Sequence, residues 1–436
     1  MSINIIGGGL AGCEAAYQVA KRGIKVNLYD MKPNKKSPAH HSDKLCELVC
    51  SNSLKAARKE SAAGMLKEEM RMLDSLLMKC ADKSKVPAGG ALAVDREIFS
   101  NLVNDEINNN PNITVISEEV MEIPDGITII ASGPLTSDLL SDKIKTMFGD
   151  SLSFYDAAAP IVKFDTVDMN KAFFASRYDK GDGDDYINCP MNKEEYDNFY
   201  EALVSAERAP VHDFDVMNPK VYEGCMPIEV MAQRGHDTIR FGPMKPVGLK
   251  DPRTGHRPWA VVQLRKENSA GIMYNLVGFQ TNLKFPEQKR VFSMIPGLEN
   301  AEFVRYGVMH RNTFIDSPKI LNSDYSVREN KNLFFAGQIT GVEGYMESAS
   351  SGLMAGINAA MRFIGEQTVT LPEYTMIGSL SRYISDETVS KFQPMGANLG
   401  VLPELEQRPR DKKERAKAYS DRSFAKLTEF INSRGL

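Results

Sequence analysis

The stretch Ile3-Asn4-Ile5-Ile6-Gly7-Gly8-Gly9-Leu10-Ala11-Gly12 decides the fold. Ile3 to Ile6 form a short buried-strand pattern, and Gly7, Gly9 and Gly12 supply the spacing G-x-G-x-x-G where a helix begins. Gly7 permits a tight turn, Gly9 lets the backbone come close to a pyrophosphate, and Gly12 lets helix and strand approach. The start of the helix adds unpaired N–H groups and a partial positive charge. Leu10 to Arg22 has helical period with Gly23 just past its end, and Lys25 to Asp30 reads as a second strand. Asp30, about twenty residues beyond the first glycine, is the acid expected at a ribose hydroxyl. Gly7, Gly8, Gly9, Leu10, Ala11, Gly12 and Asp30 are therefore the expected dinucleotide-binding residues.

Outward from this βαβ start, Asp95 can cap a helix running to about Asn108, Ile113 to Ile116 reads as a strand, and Ile127 to Ala131 as another, closed by Ser132-Gly133-Pro134. From about Lys163 to Arg305 the texture changes to Tyr-, Asp-, Pro- and Met-rich segments with short strands at Ala260 to Leu264 and Met273 to Val277. Asn332 to Ala336 then returns as an apolar strand feeding Gly337, Gln338, Gly341, Gly344 and Tyr345, with a small-residue helix from about Ser348 to Phe363. A second helix N-terminus of this kind can face the pyrimidine end of a flavin. The pairing of an N-terminal βαβ with a C-terminal strand, glycine turn and helix resembles the glutathione-reductase-type FAD proteins. The run Ile129-Ile130-Ala131-Ser132-Gly133-Pro134 resembles their internal strand that closes over the cofactor; a nicotinamide enzyme needs no such third piece, so FAD is the expected cofactor. The fold class is α/β: a glutathione-reductase-type Rossmann FAD-binding domain (1–162 and 306–436, with C-terminal helices) with an inserted α+β domain (163–305).

The 436 residues, 42% hydrophobic and 25% charged, suffice for two packed cores. A net charge of −4 excludes a global field that would attract a polyanion, so any nucleic-acid surface must be local. No apolar run approaches the roughly 20 residues needed to span a bilayer, and nothing at the start reads as a secretory signal. The six cysteines, Cys13, Cys46, Cys50, Cys80, Cys189 and Cys225, form no C-x-x-C pair, so no metal site and reduced, cytoplasmic thiols are expected.

Cys50 precedes a stretch, Leu54 to about Met78, that reads as helix, with Ser51, Asn52 and Ser53 as possible caps; this predicts a thiolate stabilised at a helix N-terminus. Cys225, between Gly224 and Met226-Pro227, reads as a turn or strand-end thiol. Cys13, Cys80 and Cys189 read as small buried hydrophobes, and Cys46 shares a face with Cys50 only if that stretch is helical. A thiolate has a use in pyrimidine chemistry: C5 of uracil becomes nucleophilic once a sulfur adds to C6, after which a second group must remove the C5 proton. Between Arg240 and Lys266, Arg240, Lys245, Lys250, Arg253, Arg257, Arg265 and Lys266 face Asp251 alone, with His256 and the only tryptophan, Trp259. Arg240, Lys245, Arg253, Arg257 and Trp259 are the expected RNA contacts, gripping phosphates and stacking a base. Arg408 to Lys417, interleaved with acids, reads as an exposed helix face.

The glycine motif, Glu47 to Leu54, Tyr222 to Glu229, Arg240 to Leu249 and Ala336 to Tyr345 together resemble one family over essentially the whole chain, the folate-dependent tRNA uracil-5-methyltransferases called TrmFO. The resemblance implies that Cys225 adds to C6, that Cys50 is the second essential thiol, that methylenetetrahydrofolate supplies the carbon, and that FAD is reduced by NADH or NADPH. It implies a T-loop uridine of tRNA as the target. The chain departs from the family pattern in Gln280-Thr281-Asn282-Leu283-Lys284-Phe285-Pro286, where Asn282 and Phe285-Pro286 replace a His or basic residue and then Trp-Gly. If that stretch lines the folate or RNA groove, the departure bears on the substrate, and a paralogous group acting on ribosomal RNA is the alternative. A small-molecule FAD oxidoreductase and a protein using FAD only structurally are the other classes; a carboxymethylaminomethyl-installing flavoprotein would need a longer chain.

Overall fold

The computed structural model describes residues 1–37, 39–149, 152–179, 183–209, 226–389 and 392–435. Its first sheet has five strands, in the order Leu333–Phe335, Thr128–Ile130, Ser2–Ile6, Lys25–Asp30 and Ile113–Ser117, all parallel. Ile3, Ile5, Val26, Leu28, Ile129, Ile130, Phe334 and Phe335 are buried, as an all-parallel sheet covered on both faces requires. Helix Leu10–Ala20 lies against helix Tyr345–Phe363. A Cβ on Gly352 would fall 2.1 Å from the Ala11 carbonyl oxygen, and one on Gly356 2.7 Å from that of Ala15. These glycines, four apart on one helical face, bring the two backbones nearly into contact, a spacing no larger residue permits.

A second core lies around a six-stranded antiparallel sheet ordered Phe173–Phe174, Tyr186–Met191, Ala260–Lys266, Met273–Leu276, Ile161–Lys163 and Phe303–Arg305. Helix Lys193–Ser205, opened by a capping box between Asn192 and Glu195, contributes Tyr196, Phe199 and Leu203 to this core; helix Phe285–Phe292 contributes Val291 and Phe292. The chain passes between the two sheets along one antiparallel ribbon, Leu152–Ala157 paired with Met309–Phe314. Among the described residues no helix is long and apolar enough to cross a membrane, and no cluster of His, Cys, Asp or Glu could hold a metal ion.

The helix expected from Leu54 to Met78 is not there. The segment holds strand Ser53–Ala56, helix Ala62–Met72 and helix Leu76–Lys83. Lys55 (φ 64°) and Asp74 (φ 61°) are left-handed, which no continuous helix tolerates. Ser61 and Ser75 are the true caps, accepting from the amides of Gly64 and Met78. Cys50 is therefore not at a helix N-terminus, and Ser51, Asn52 and Ser53 cap no helix. Asp95 does cap helix Arg96–Asn108, accepting from the amides of Glu97 and Ile98, and the helix expected from about Ser348 begins earlier, at Tyr345.

Candidate functional site

The first glycine turn borders one of two cavities that meet at Leu135. Gly7 has φ 110°, and a Cβ on Gly12 would lie 1.7 Å from the Gly7 carbonyl oxygen, so both positions demand glycine. A Cβ on Gly9 would meet nothing within 4 Å: this glycine faces open space, where the helix Leu10–Ala20 starts without a side-chain cap. The Asp30 carboxylate accepts from the amides of Gly8 at 2.8 Å and Lys32 at 2.9 Å, and keeps acceptor capacity for a hydroxyl. Gly7, Gly8, Gly9, Asp30, Ser132 and Leu135 line this cavity. Uncapped amides, open space above Gly9 and an oriented acid suit the pyrophosphate and ribose of a dinucleotide such as FAD.

Leu135 also lines a second cavity of about 290 Å³, bounded by Cys50, Ser51, Lys55, Gln280, Gln338, Gly344, Tyr345 and Glu347. Of the second glycine turn, Gln338, Gly344 and Tyr345 reach this cavity. Gly337 (φ 86°) and Gly341 (φ 82°) shape the turn behind it, packed against Ala11 and Phe392. Lys55 Nζ pairs with the buried Glu347 at 2.6 Å, and Gln338 Nε2 donates to Glu343 at 2.6 Å. The Tyr345 hydroxyl accepts from the amides of Cys50 at 2.7 Å and Ser51 at 3.2 Å, so Tyr345 holds the loop that carries Cys50 as well as lining the cavity. Burial, and then the neighbouring Cys50, push the Tyr345 phenol up, keeping it protonated.

The loop 48–52 takes its remaining support from side chains far away in sequence. Arg96 donates to the carbonyls of Leu48 and of Cys50 (2.8 Å) and pairs with Glu267; Arg305 donates to the Val49 carbonyl. Arg265 donates to Asn52 Oδ1 at 3.0 Å and to Ser51 Oγ at 2.8 Å. The fully buried Asn52 also accepts from Asn275 at 3.3 Å and donates to the carbonyls of Lys266 and Val94, which satisfies both ends of its amide. Burial lowers the pKa of Arg265 and, with repulsion from Arg96, that of Arg305; burial also opposes the Arg96 charge, but Glu267 more than offsets it. Sequence reasoning missed this cluster. One signal was available: Arg96 occupies the first turn of a helix, where the dipole disfavours a cation, which marks it as serving something else.

Cys225 lies outside the described residues. Cys46, Cys80 and Cys189 are buried; desolvation pushes the thiols of Cys80 and Cys189 up to about 12 and that of Cys46 well above its usual value, so none is a ready thiolate. Cys13 is buried and its sulfhydryl donates to the Gly8 carbonyl. Cys50 alone of these five is part-exposed, its sulfur 3.7 Å from the Ala157 carbonyl oxygen. Within the basic segment, Lys245 and Arg257 are exposed. Arg240 instead stacks over Trp259, its guanidinium carbon 3.8 Å from the ring centroid, and donates to the Trp259 carbonyl; that ring face is closed to a base. Arg253 forms a two-point pair with Asp251, which holds the Asp251 carboxyl below the usual carboxylate range. Of the departing stretch only Gln280 lines the cavity; Asn282 is buried, bonded to Glu229 and the Ala209 carbonyl, and Phe285 is exposed against Tyr306.

Over residues 2–367 the sequence matches the family described as Glucose inhibited division protein A. A protein of Acetivibrio thermocellus named methylenetetrahydrofolate–tRNA-(uracil-5-)-methyltransferase TrmFO is 61% identical over 432 residues, 99% of this chain and 98% of its own. A protein of the same name from Bacillus pumilus is 60% identical over 432 residues, 99% of each chain. Among solved structures, Aquifex aeolicus GidA in its form II crystal superposes with a TM-score of 0.72 at 17% identity, covering 99% of this chain and 73% of that one; at that identity the likeness speaks to the fold. By glycine cradle, sheet order and near full-length identity, the chain belongs to the GidA family, within its TrmFO group of methylenetetrahydrofolate–tRNA-(uracil-5-)-methyltransferases.

Proposed function

We propose that this chain is a cytoplasmic flavoprotein that methylates C5 of a T-loop uridine in tRNA with carbon from methylenetetrahydrofolate. One observation carries the reading: a part-exposed sulfur, Cys50, lines a cavity that shares Leu135 with the dinucleotide cradle. The glycine turn Gly7 to Gly9, the uncapped amides at the start of helix Leu10–Ala20 and Asp30 would hold one end of FAD and Gln338, Gly344 and Tyr345 the other, where the cofactor, reduced by NADH or NADPH, would supply electrons and relay the one-carbon unit. The remaining chemistry belongs to side chains. Cys225 adds to C6 of the uracil and makes C5 nucleophilic. Cys50 then takes the C5 proton, and expulsion of the Cys225 sulfur from C6 restores the aromatic base. In this reading residues 1–162 and 306–436 hold the flavin, while 163–305 present the RNA and folate side, with Lys245 and Arg257 exposed for phosphate contact.

The test is incubation with labelled methylenetetrahydrofolate, NADPH and tRNA, then location of the label. Label in a T-loop uridine is expected; label in ribosomal RNA alone, or in no RNA, overturns the substrate. Cys225→Ala is expected to abolish methylation while NADPH still bleaches the flavin, and unchanged methylation overturns the nucleophile assignment.

A further inference from the structure

The loop 48–52 is gripped by an unusual set of charges. Arg265, only 7% exposed, reaches it from strand Ala260–Lys266 of the second sheet, Arg96 from the helix that Asp95 caps, and Arg305 from the edge strand Phe303–Arg305. Glu267 is the single carboxylate bonded into the group among the described residues, and it pairs with Arg96. Three cations against one anion in a largely desolvated place are costly unless a further negative charge joins them. The titratable group on the loop they hold is the sulfur of Cys50. Among the described residues, the other ionisable groups around it are engaged elsewhere or neutral. The Tyr345 phenol is protonated, and Lys55 and Glu347 pair with each other across the cavity; Glu343 bonds Gln338. The Ala157 carbonyl at 3.7 Å favours the protonated thiol, but a carbonyl dipole falls off faster with distance than the net positive charge of three arginines against one carboxylate.

We propose that Arg96, Arg265 and Arg305 are positioning residues for Cys50, holding its loop against the cavity and keeping its sulfur anionic at neutral pH. The inference rests on the reading of Cys50 as a working thiol and replaces the helix N-terminus expected from the sequence as the source of its activation. An anionic sulfur can take the C5 proton directly: the C5–H bond breaks and an S–H bond forms. The electron pair enters C5–C6 as the bond from C6 to the other sulfur breaks, and the new thiol later returns its proton to water.

The rate of Cys50 alkylation by iodoacetamide, measured in the reduced holoenzyme across roughly pH 5 to 9 and located by peptide mass, reads the ionisation directly. Arg265→Met is expected to raise the midpoint by about one pH unit or more, and Arg265→Lys to restore part of it. Glu267→Gln removes the only carboxylate bonded into the group among the described residues and is expected to lower the midpoint. A merely structural role moves both variants the same way, so shifts of like sign, or none, overturn the proposal. Should Arg265→Met fail to retain flavin, Arg305→Met and Glu267→Gln decide the sign in its place. Methylation surviving Cys50→Ala would remove Cys50 from the proposed reaction yet leave the alkylation result standing, so the two failures are distinguishable.

Discussion

The two cavities that meet at Leu135 are built on opposite plans. At the cradle, the groups offered to the ligand space are the uncapped main-chain amides of one short segment, where helix Leu10–Ala20 starts after Gly9, aimed by a turn. At the loop 48–52 the segment is the thing being held: its main chain by Tyr345, Arg96 and Arg305, and the side chains of Ser51 and Asn52 by Arg265 and Asn275. A phosphate needs N–H vectors in fixed directions, which a glycine turn supplies locally. A reactive sulfur needs charge of a chosen sign, and a loop that opens no helix has no dipole to offer, so the charge is recruited from side chains. The cradle therefore fails by collision, abruptly, whereas the loop fails by degrees.

The largest effect is expected from Gly12→Val. With a Cβ position only 1.7 Å from the Gly7 carbonyl oxygen, the helix must move off the strand, at a cost of about 3 kcal/mol or more and with loss of bound flavin. Thermal melting and flavin absorbance check this, and a variant that melts with its parent would break the contrast at the cradle. Next is Tyr345→Phe, which strips the acceptor from two amides. About 2 kcal/mol is expected, seen as a lower kcat for methylation per bound flavin. Unaltered turnover would show that the loop holds without the phenol. The smallest is Gly9→Ala: melting of the apoprotein stays put because the new methyl meets nothing, while FAD affinity drops about tenfold, ~1.4 kcal/mol. Titration of the apoprotein with FAD measures this, and an equal loss in apoprotein stability would show that the open space does not belong to the ligand.

The same contrast explains what could be read from the chain. Strands and glycines of the first sheet obey short-range periods, so Ser2–Ile6, Leu10–Ala20 and Lys25–Asp30 stood out. The segment after Cys50 was misread because its apolar spacing outweighed Ser61, Asp74 and Ser75, polar residues that look like interior helix positions until their cap and left-handed roles are seen. The arginines of the loop are distant from one another, and no local period links them. Arg265 stands among the charges of its neighbours, although it lies within a buried strand, a setting in which an arginine needs a partner. Arg240 and Arg253 likewise turned to Trp259 and Asp251, neighbours that a count of charges cannot pair.

The contact of Gly352 and Gly356 with Ala11 and Ala15 has a consequence for biosynthesis. A ribosome releases the first helix hundreds of residues before the helix that covers it, and the adjacent strand Leu333–Phe335 also comes late. The small-residue face of Leu10–Ala20 thus waits uncovered, while the strands of the second sheet, all within 161–305, emerge together and close first. Nascent chains stalled before Tyr345 should carry a finished middle and an open beginning, the form a holding chaperone would recognise.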